Sequence, residues 1–264
     1  MKRSTDRILT THCGSLPRPK DLLDVMKAKI NGAPYDDDAY ARRVRSAVAE
    51  TVRKQVESGI DIPTDGEQGK PGFFAYVSER LSGFEPRPDK SFTLFAAEVA
   101  AFPEYYKQYF SQAMLGGTVA PMVPLVCTGP VSYRGQEAVR RDIDNLKAAL
   151  QGLKAEDVFM PAVAPSGVGM NEHYRTEEEY MHAVAEAMHT EYQAIVDAGF
   201  IVQIDDPFLT DIYSYSPLNA AERRKTGEMY VEAINHGLRG IPPEKVRFHT
   251  CYGINEGPRV HDAP

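Results

Sequence analysis

The 264-residue sequence contains no tryptophan, only three cysteines, and nowhere 18 consecutive apolar residues. The last absence excludes a membrane-spanning helix of the usual kind. Three widely separated thiols, Cys13, Cys127 and Cys251, are odd in number and do not suit a disulfide framework, so they fit a reducing compartment. Positive charge is also short. Thirty Lys and Arg against 37 Asp and Glu give a formal net charge of −7, which argues against a nucleic-acid surface, since phosphate binding needs an electropositive footprint. At the start, MKRSTDRILTTHCGSLPRP offers only Ile8 and Leu9 as an apolar stretch, so no signal peptide is read there. There is no internal repeat, low-complexity stretch or clear linker. The expectation is a cytoplasmic, soluble, single-domain protein with neither nucleic acid nor membrane as partner; the oligomeric state, a homo-oligomer included, stays open.

What is present is a rhythm of short apolar runs and longer amphipathic helices. Strands are expected at Ile8–Thr11, Ile60–Pro63, Met122–Cys127, Val158–Val163, Ile201–Asp205 and Val246–His249. Val44, Val48, Val52 and Val56 mark one face of a helix over 39–58, and Val184, Met188, Tyr192 and Ile195 mark one over 177–198. Each stops at a glycine, Gly59 or Gly199, just before the next strand. This alternation implies parallel pairing with right-handed crossovers, so the class is α/β. Residues 73–117 break the rhythm with eleven aromatics: Phe73, Phe74, Tyr76, Phe84, Phe92, Phe95, Phe102, Tyr105, Tyr106, Tyr109 and Phe110. They read as an insertion of helices or a hairpin over the barrel mouth, or as extra core.

Polar residues gather where the expected strands end. His12, Cys13, Gly14 and Ser15 follow the first, Thr64, Asp65, Gly66 and Glu67 the second, and Cys127, Thr128 and Gly129 the third. Asp205, Asp206 and Pro207 close the fifth, and His249, Thr250 and Cys251 the sixth. In a parallel barrel these ends converge on one face, the usual place for an active site. His249 and Cys251, two apart in an extended segment, point the same way, and an imidazole with a thiolate suits zinc. The same spacing also fits a buried cysteine beside a hydrogen-bonded histidine. Cys13 and Cys127 join such a metal only if the fold brings them close; otherwise they are small core residues. Glu67 and Asp205 follow apolar strands and need a cation nearby, either an amino-acid ammonium group or an Arg or Lys of the chain. Gly14 and Ser15 offer backbone N–H groups and a hydroxyl to a carboxylate, or simply make a tight turn.

Taken in order, T-T-H-C-G-S-L-P-R-P at Thr10–Pro19, T-D-G-E at Thr64–Glu67, T-G-P-V at Thr128–Val131, Q-I-D-D-P at Gln203–Pro207 and H-T-C-Y-G at His249–Gly253 resemble the catalytic barrel of the cobalamin-independent methionine synthase family. The resemblance implies a TIM-type (β/α)8 barrel, of the methionine synthase and uroporphyrinogen decarboxylase type, in a short single-barrel member. It implies a methyltransferase like 5-methyltetrahydropteroyltriglutamate–homocysteine S-methyltransferase, serving methionine biosynthesis, in which zinc holds the acceptor thiol as thiolate. Its partners are a small-molecule thiol and a methyl or alkyl donor. By the same resemblance His249 and Cys251 are zinc ligands and Gly14, Ser15, Glu67 and Asp205 hold the amino-acid end of homocysteine. No side chain is assigned to the chemical step itself.

Three features depart from the family pattern. The tryptophan that follows T-G-P-V in full synthases, used to stack on the folate, is replaced here by Ser132–Tyr133–Arg134–Gly135, which leaves the donor open. D-D-P stands for the usual D-E-P. The family's other two zinc ligands, a glutamate and a second cysteine, follow H-T-C on later strands. An eight-stranded barrel takes ~250 residues, yet only six strands are read because the aromatic segment uses about 45, so the last two strands are expected to be missing from the 1–264 domain. Alternatives are alkyl transfer to another thiol, as in epoxyalkane:coenzyme M transferase, with Arg18, Arg134 and Arg175 as conceivable sulfonate partners, and a non-catalytic thiol- or metal-binding barrel. A zinc-free decarboxylase of the same fold would leave His249 and Cys251 unexplained.

Overall fold

A computed structural model describes residues 1–90, 96–109, 123–214, 218–251 and 257–260. Met122, Phe92, Phe95, Phe110, Tyr252 and Gly253, used in the reading above, lie outside these. In chain order the helices and strands are α1 (Lys20–Ile30), α2 (Asp37–Glu57), α3 (Val77–Arg80), β1 (Leu81–Pro86), α4 (Ala96–Ala101), α5 (Pro103–Tyr109), β2 (Leu125–Tyr133), α6 (Gln136–Ala149) and β3 (Phe159–Val163). They continue with β4 (Met170–Asn171), α7 (Glu177–Asp197), β5 (Ile201–Asp205), α8 (Phe208–Ser214), α9 (Ala220–Gly237) and β6 (Val246–His249).

Local chemistry explains the two long helices. Asp36 caps α2 by accepting from the Ala39 N–H, and Thr176 caps α7 by accepting from Glu179. Gly59 (φ 82°) and Gly199 (φ 96°) turn the chain out of them. Val44, Val48 and Val52 of α2, and Val184, Met188, Tyr192 and Ile195 of α7, are buried in the main core.

β3, β5 and β6 form a parallel sheet in the order β3-β5-β6. β3 and β5 are buried along their whole length, as parallel strands covered on both faces are. Beyond β3 the run continues by backbone bonds: Phe159 N–H donates to Pro63 O (3.3 Å), Glu156 to Asp61 O (2.8 Å), and Asp61 and Ile62 to Thr10 O (3.1 Å each). Five neighbouring segments are thus ordered 10–11, 61–63, β3, β5, β6. Its two ends face one another, because Arg247 of β6 donates to Thr11 Oγ1 (3.0 Å) and His12 O (2.9 Å).

The strand expectations are corrected at three places. Ile8–Thr11 and Ile60–Pro63 reduce to a single parallel bridge, Thr11–Ile62. Ser4 Oγ and Asp61 Oδ2 take the N–H groups of Leu9 and Thr10 that a ladder would have used, and Ile8 is 84% exposed. The third strand does not stop at Cys127. It runs through T-G-P-V to Tyr133, paired antiparallel with β1 and parallel with β4. The aromatic segment is accordingly not purely helical: β1 lies within it. Tyr76 and Tyr106 are buried, while Phe102 and Tyr105 are exposed.

Gly83 makes the β1–β2 pairing possible. It has φ 86°, and a Cβ there would sit 2.6 Å from Pro130 O and 2.7 Å from Gly129 O. Gly83→Ala is expected to destabilise the protein by about 2 kcal/mol or more, from the left-handed backbone and the backbone contact together. The urea midpoint measures it; an unchanged midpoint contradicts it.

Candidate functional site

Two clusters meet around the Cys13–Ser15 segment. In the first, Gln55 of α2 pins the T-D-G-E loop, donating from Nε2 to Thr64 O (2.7 Å) while Oε1 accepts from Thr64 N–H (3.2 Å). The chain then turns at Glu67, whose φ of 54° is rare for a residue with a Cβ. Glu67 is 1% exposed. Ser15 Oγ donates to its Oε2, and a Cβ on Gly14 would lie 3.9 Å from that oxygen. Glu67 Oε1 accepts no hydrogen bond, and the nearest cation is Lys70 Nζ at 3.8 Å. Burial pushes the carboxyls of Glu67 and Asp65 up, and Lys70 partly offsets this in both.

In the second cluster, His249 Nδ1 lies 2.9 Å from Asp205 Oδ1, which also accepts from Gln203 Nε2 (2.7 Å). The other ring nitrogen, Nε2, lies 2.9 Å from Cys13 Sγ. Gln203 Nε2 also donates to Cys13 O (2.6 Å). Half-buried Arg247 lies beside them, its guanidinium 3.8 Å over the Phe159 ring and its Nε donating to Gln203 Oε1 (2.7 Å). Burial pushes the Cys13 thiol up, and Asp205 adds to it. Asp206 N–H donates to His249 O (2.9 Å) and Thr210 Oγ1 to Cys251 O (2.6 Å), fixing where β5 and β6 leave the sheet. A cleft of about 520 Å³ opens onto Cys13, Gln203, Arg247 and His249.

Gly14, Ser15 and Glu67 therefore touch one another, and Asp205 touches His249. The clusters are joined through the Cys13–Ser15 segment, where the Cys13 carbonyl accepts from Gln203 and the Ser15 hydroxyl donates to Glu67. Cys127 is elsewhere: it is fully buried in the core and its thiol donates to Gly129 O (3.2 Å). Sequence reasoning missed Lys70, Gln203 and Arg247. Lys70 is 2% exposed, donates to Pro161 O (2.6 Å) and sits 4.3 Å over the Tyr76 ring. Its signal was the spacing Glu67–Lys70, which in an ordinary loop reads as a solvated ion pair. Of the three arginines considered for a sulfonate, Arg18 donates to Glu67 O and Lys70 O (2.7 Å each), Arg134 donates to Ser78 O (2.9 Å), and Arg175 is exposed.

Among the described residues, no three His, Cys, Asp or Glu side chains are already gathered in an arrangement that holds a metal ion. The donor chemistry nevertheless fits zinc. A ring with Nδ1 fixed on a carboxylate and Nε2 turned toward sulfur is the state of a metal-binding histidine, and thiols complete a borderline-soft set. No helix among the described residues is long and apolar enough to cross a membrane.

The family model described as "Cobalamin-independent synthase, Catalytic domain" matches residues 8–158. The chain is 26% identical to the methionine synthase of Sulfolobus acidocaldarius over 248 residues, covering 92% of this chain and 61% of that protein. Likeness to the methionine synthase of Pyrococcus furiosus is the same, 26% over 247 residues, 92% and 61%. The chain thus spans about three-fifths of the length of these relatives. Among solved structures, a B12-independent methionine synthase from Shewanella sp. W3-18-1 in complex with selenomethionine gives a TM-score of 0.65 at 19% identity, over 92% of this chain and 61% of that one. A vitamin-B12-independent methionine synthase from Listeria monocytogenes gives 0.64 at 19%, over 94% and 67%. Sequence match, relatives and shared fold agree: this chain belongs to the cobalamin-independent synthase catalytic-domain family.

Proposed function

We propose that this chain carries out zinc-dependent S-methyl transfer to a thiol such as homocysteine, within a single domain over residues 1–264 and in the cytoplasm. The observation that carries this reading is the Asp205–His249 pair, which leaves the imidazole Nε2 facing sulfur at the head of the strand that also delivers Cys251. When bound, zinc keeps the acceptor thiol as a thiolate at neutral pH, where an ordinary thiol is mostly protonated and a poor nucleophile.

The remaining work belongs to the chain. Glu67, buried and with Oε1 open, is placed to accept from the ammonium group of an amino-acid substrate, and Ser15 fixes its other oxygen. Gly14 leaves room beside it, and Asp205 orients His249 while adding negative charge on the same side. Of the arginines an anionic acceptor of the coenzyme M kind would call on, Arg18 and Arg134 are committed to backbone carbonyls and Arg175 is exposed.

Purified protein is expected to hold about one zinc per chain and to convert homocysteine to a product heavier by one methyl group when offered a panel of methyl donors, read by metal analysis and mass spectrometry. Full transfer by zinc-free protein would sink the reading. Tight thiol binding with no methylated product from any donor would mark a carrier instead.

A further inference from the structure

We propose that Lys70 is a positioning residue that supplies the counter-charge to Glu67 while being held too far away to occupy its open oxygen. The inference rests on the reading of Glu67 as the seat of a substrate ammonium group. Lys70 is 2% exposed, and its Nζ lies 3.8 Å from Glu67 Oε1. That is close enough for a charge interaction but beyond the ~2.7–2.9 Å of a charge-assisted hydrogen bond. Two contacts hold the ammonium back: Nζ donates to Pro161 O of β3 (2.6 Å) and sits 4.3 Å over the Tyr76 ring. Tyr76 is itself fixed, since its hydroxyl donates to Glu191 Oε1 (2.9 Å) and accepts from Val163 N–H (3.1 Å).

The turn that carries both residues is equally constrained. Lys70 N–H donates to Glu67 O (3.0 Å), and Arg18 Nη2 donates to the carbonyls of both (2.7 Å each). From this turn the carboxylate leaves toward Ser15 and the ammonium toward β3. Arg18 thus serves the backbone, and Lys70 answers the side-chain charge.

A buried carboxylate without such support reverts to the neutral acid, which attracts an ammonium group far less. Burial pushes the Glu67 carboxyl up; Lys70 does most to hold it down, with the Ser15 hydroxyl second, against a further push from Asp205 and Asp65. The other buried acids behind the loop, Asp142 and Glu191, are paired with Arg80. A closer ion pair would supply the charge and lose the site, because the lysine would take the oxygen that the substrate needs. At 3.8 Å the chain keeps both.

The test measures, on the full chain as purified, the ratio of affinities for homocysteine and for its deamino analogue across pH. The two thiols share sulfur and carboxylate, so the ratio reads the ammonium contact alone. The unmodified protein is expected to favour homocysteine at neutral pH, and Glu67→Gln to lose that preference. In Lys70→Met the acid limb of the preference should move up by about 1–3 pH units, the shift an opposite charge at this range gives a carboxyl. The preference then falls at neutral pH and returns as the pH is raised, while Lys70→Arg, which keeps the cation, retains it. A merely structural role would weaken both affinities together and leave the ratio and its pH profile unmoved. Without any change at Lys70, the infrared carbonyl band of a protonated carboxyl, taken as the difference between unmodified protein and Glu67→Gln at neutral pH, should be absent; its presence would overturn the inference. A preference in Lys70→Met equal to that of the unmodified protein at every pH would also overturn it and leave the Glu67 reading standing. No preference for homocysteine in the unmodified protein, or one that survives Glu67→Gln, would overturn both.

Discussion

Glu191→Ala is expected to cost about 3–5 kcal/mol of unfolding free energy, because it removes one partner from a buried ionic network and strands the rest. Glu191 is 0% exposed. Its Oε2 lies 3.0 Å from Arg80 Nη1 and accepts from Tyr133 OH (2.7 Å), while Oε1 accepts from Tyr76 OH (2.9 Å). Arg80 also pairs with Asp142, and Tyr76 OH accepts from Val163 N–H (3.1 Å), so the network joins α3, α6 and α7 to β3 behind the T-D-G-E loop. Without Glu191 the guanidinium keeps one carboxylate and two hydroxyls lose their acceptor. Burial alone would raise the Glu191 carboxyl, but Arg80, with Lys70 and the two tyrosines, outweighs it and holds the carboxyl below its ordinary value. A carboxyl lowered in the folded state gives stability that is present above the unfolded value and lost as pH falls through the folded one. The gap between the unmodified protein and Glu191→Ala should therefore be full near neutrality and shrink below about pH 4.3. Urea unfolding at several pH values measures it; a gap under ~1 kcal/mol at neutral pH would show the network to be dispensable.

Asp205→Asn should weaken zinc binding by roughly 10–100-fold with little loss of fold stability, the usual effect of removing a carboxylate that orients a metal-bound histidine. The amide keeps the shape but not the charge that fixes the His249 tautomer, and it can present an N–H to Nδ1 instead of accepting from it. His249→Ala, which removes the donor itself, should abolish stoichiometric zinc and methyl transfer together. Competition against a chromophoric chelator ranks the two variants. If Asp205→Asn bound zinc like the unmodified protein, the 2.9 Å contact would be incidental, and the role of Asp205 would reduce to the substrate's ammonium group.

Periodicity made α2, α7, β5 and β6 legible, since their apolar faces and terminal glycines are set locally. β1 was not legible: L-S-G-F-E-P holds a glycine and a proline and alternates poorly, and it exists because Gly83 lets the carbonyls of Gly129 and Pro130 approach. The extension of β2 through Gly129 and Pro130 has the same cause, since residues that ordinarily end a strand are carried along by an antiparallel partner. In the site, Asp205 and His249 could be placed because strand ends are visible in sequence. Lys70 and Arg247 could not, because a buried or half-buried cation looks like a surface one until the groups around it are known.

The bonds that join the two ends of the five-segment run also fix when the site can form. Thr11 and Arg247 are 236 positions apart, and so are Cys13 and His249. At ribosomal speeds of ~5–20 residues per second, the residues around Cys13 wait on the order of ten seconds or more before their partners are made. Helices α2 and α7, whose backbone hydrogen bonds are local, can form before then, but the thiol cannot meet its imidazole until β6 has been synthesised. Throughout that interval Cys13 is a sulfur without its imidazole partner on a nascent chain.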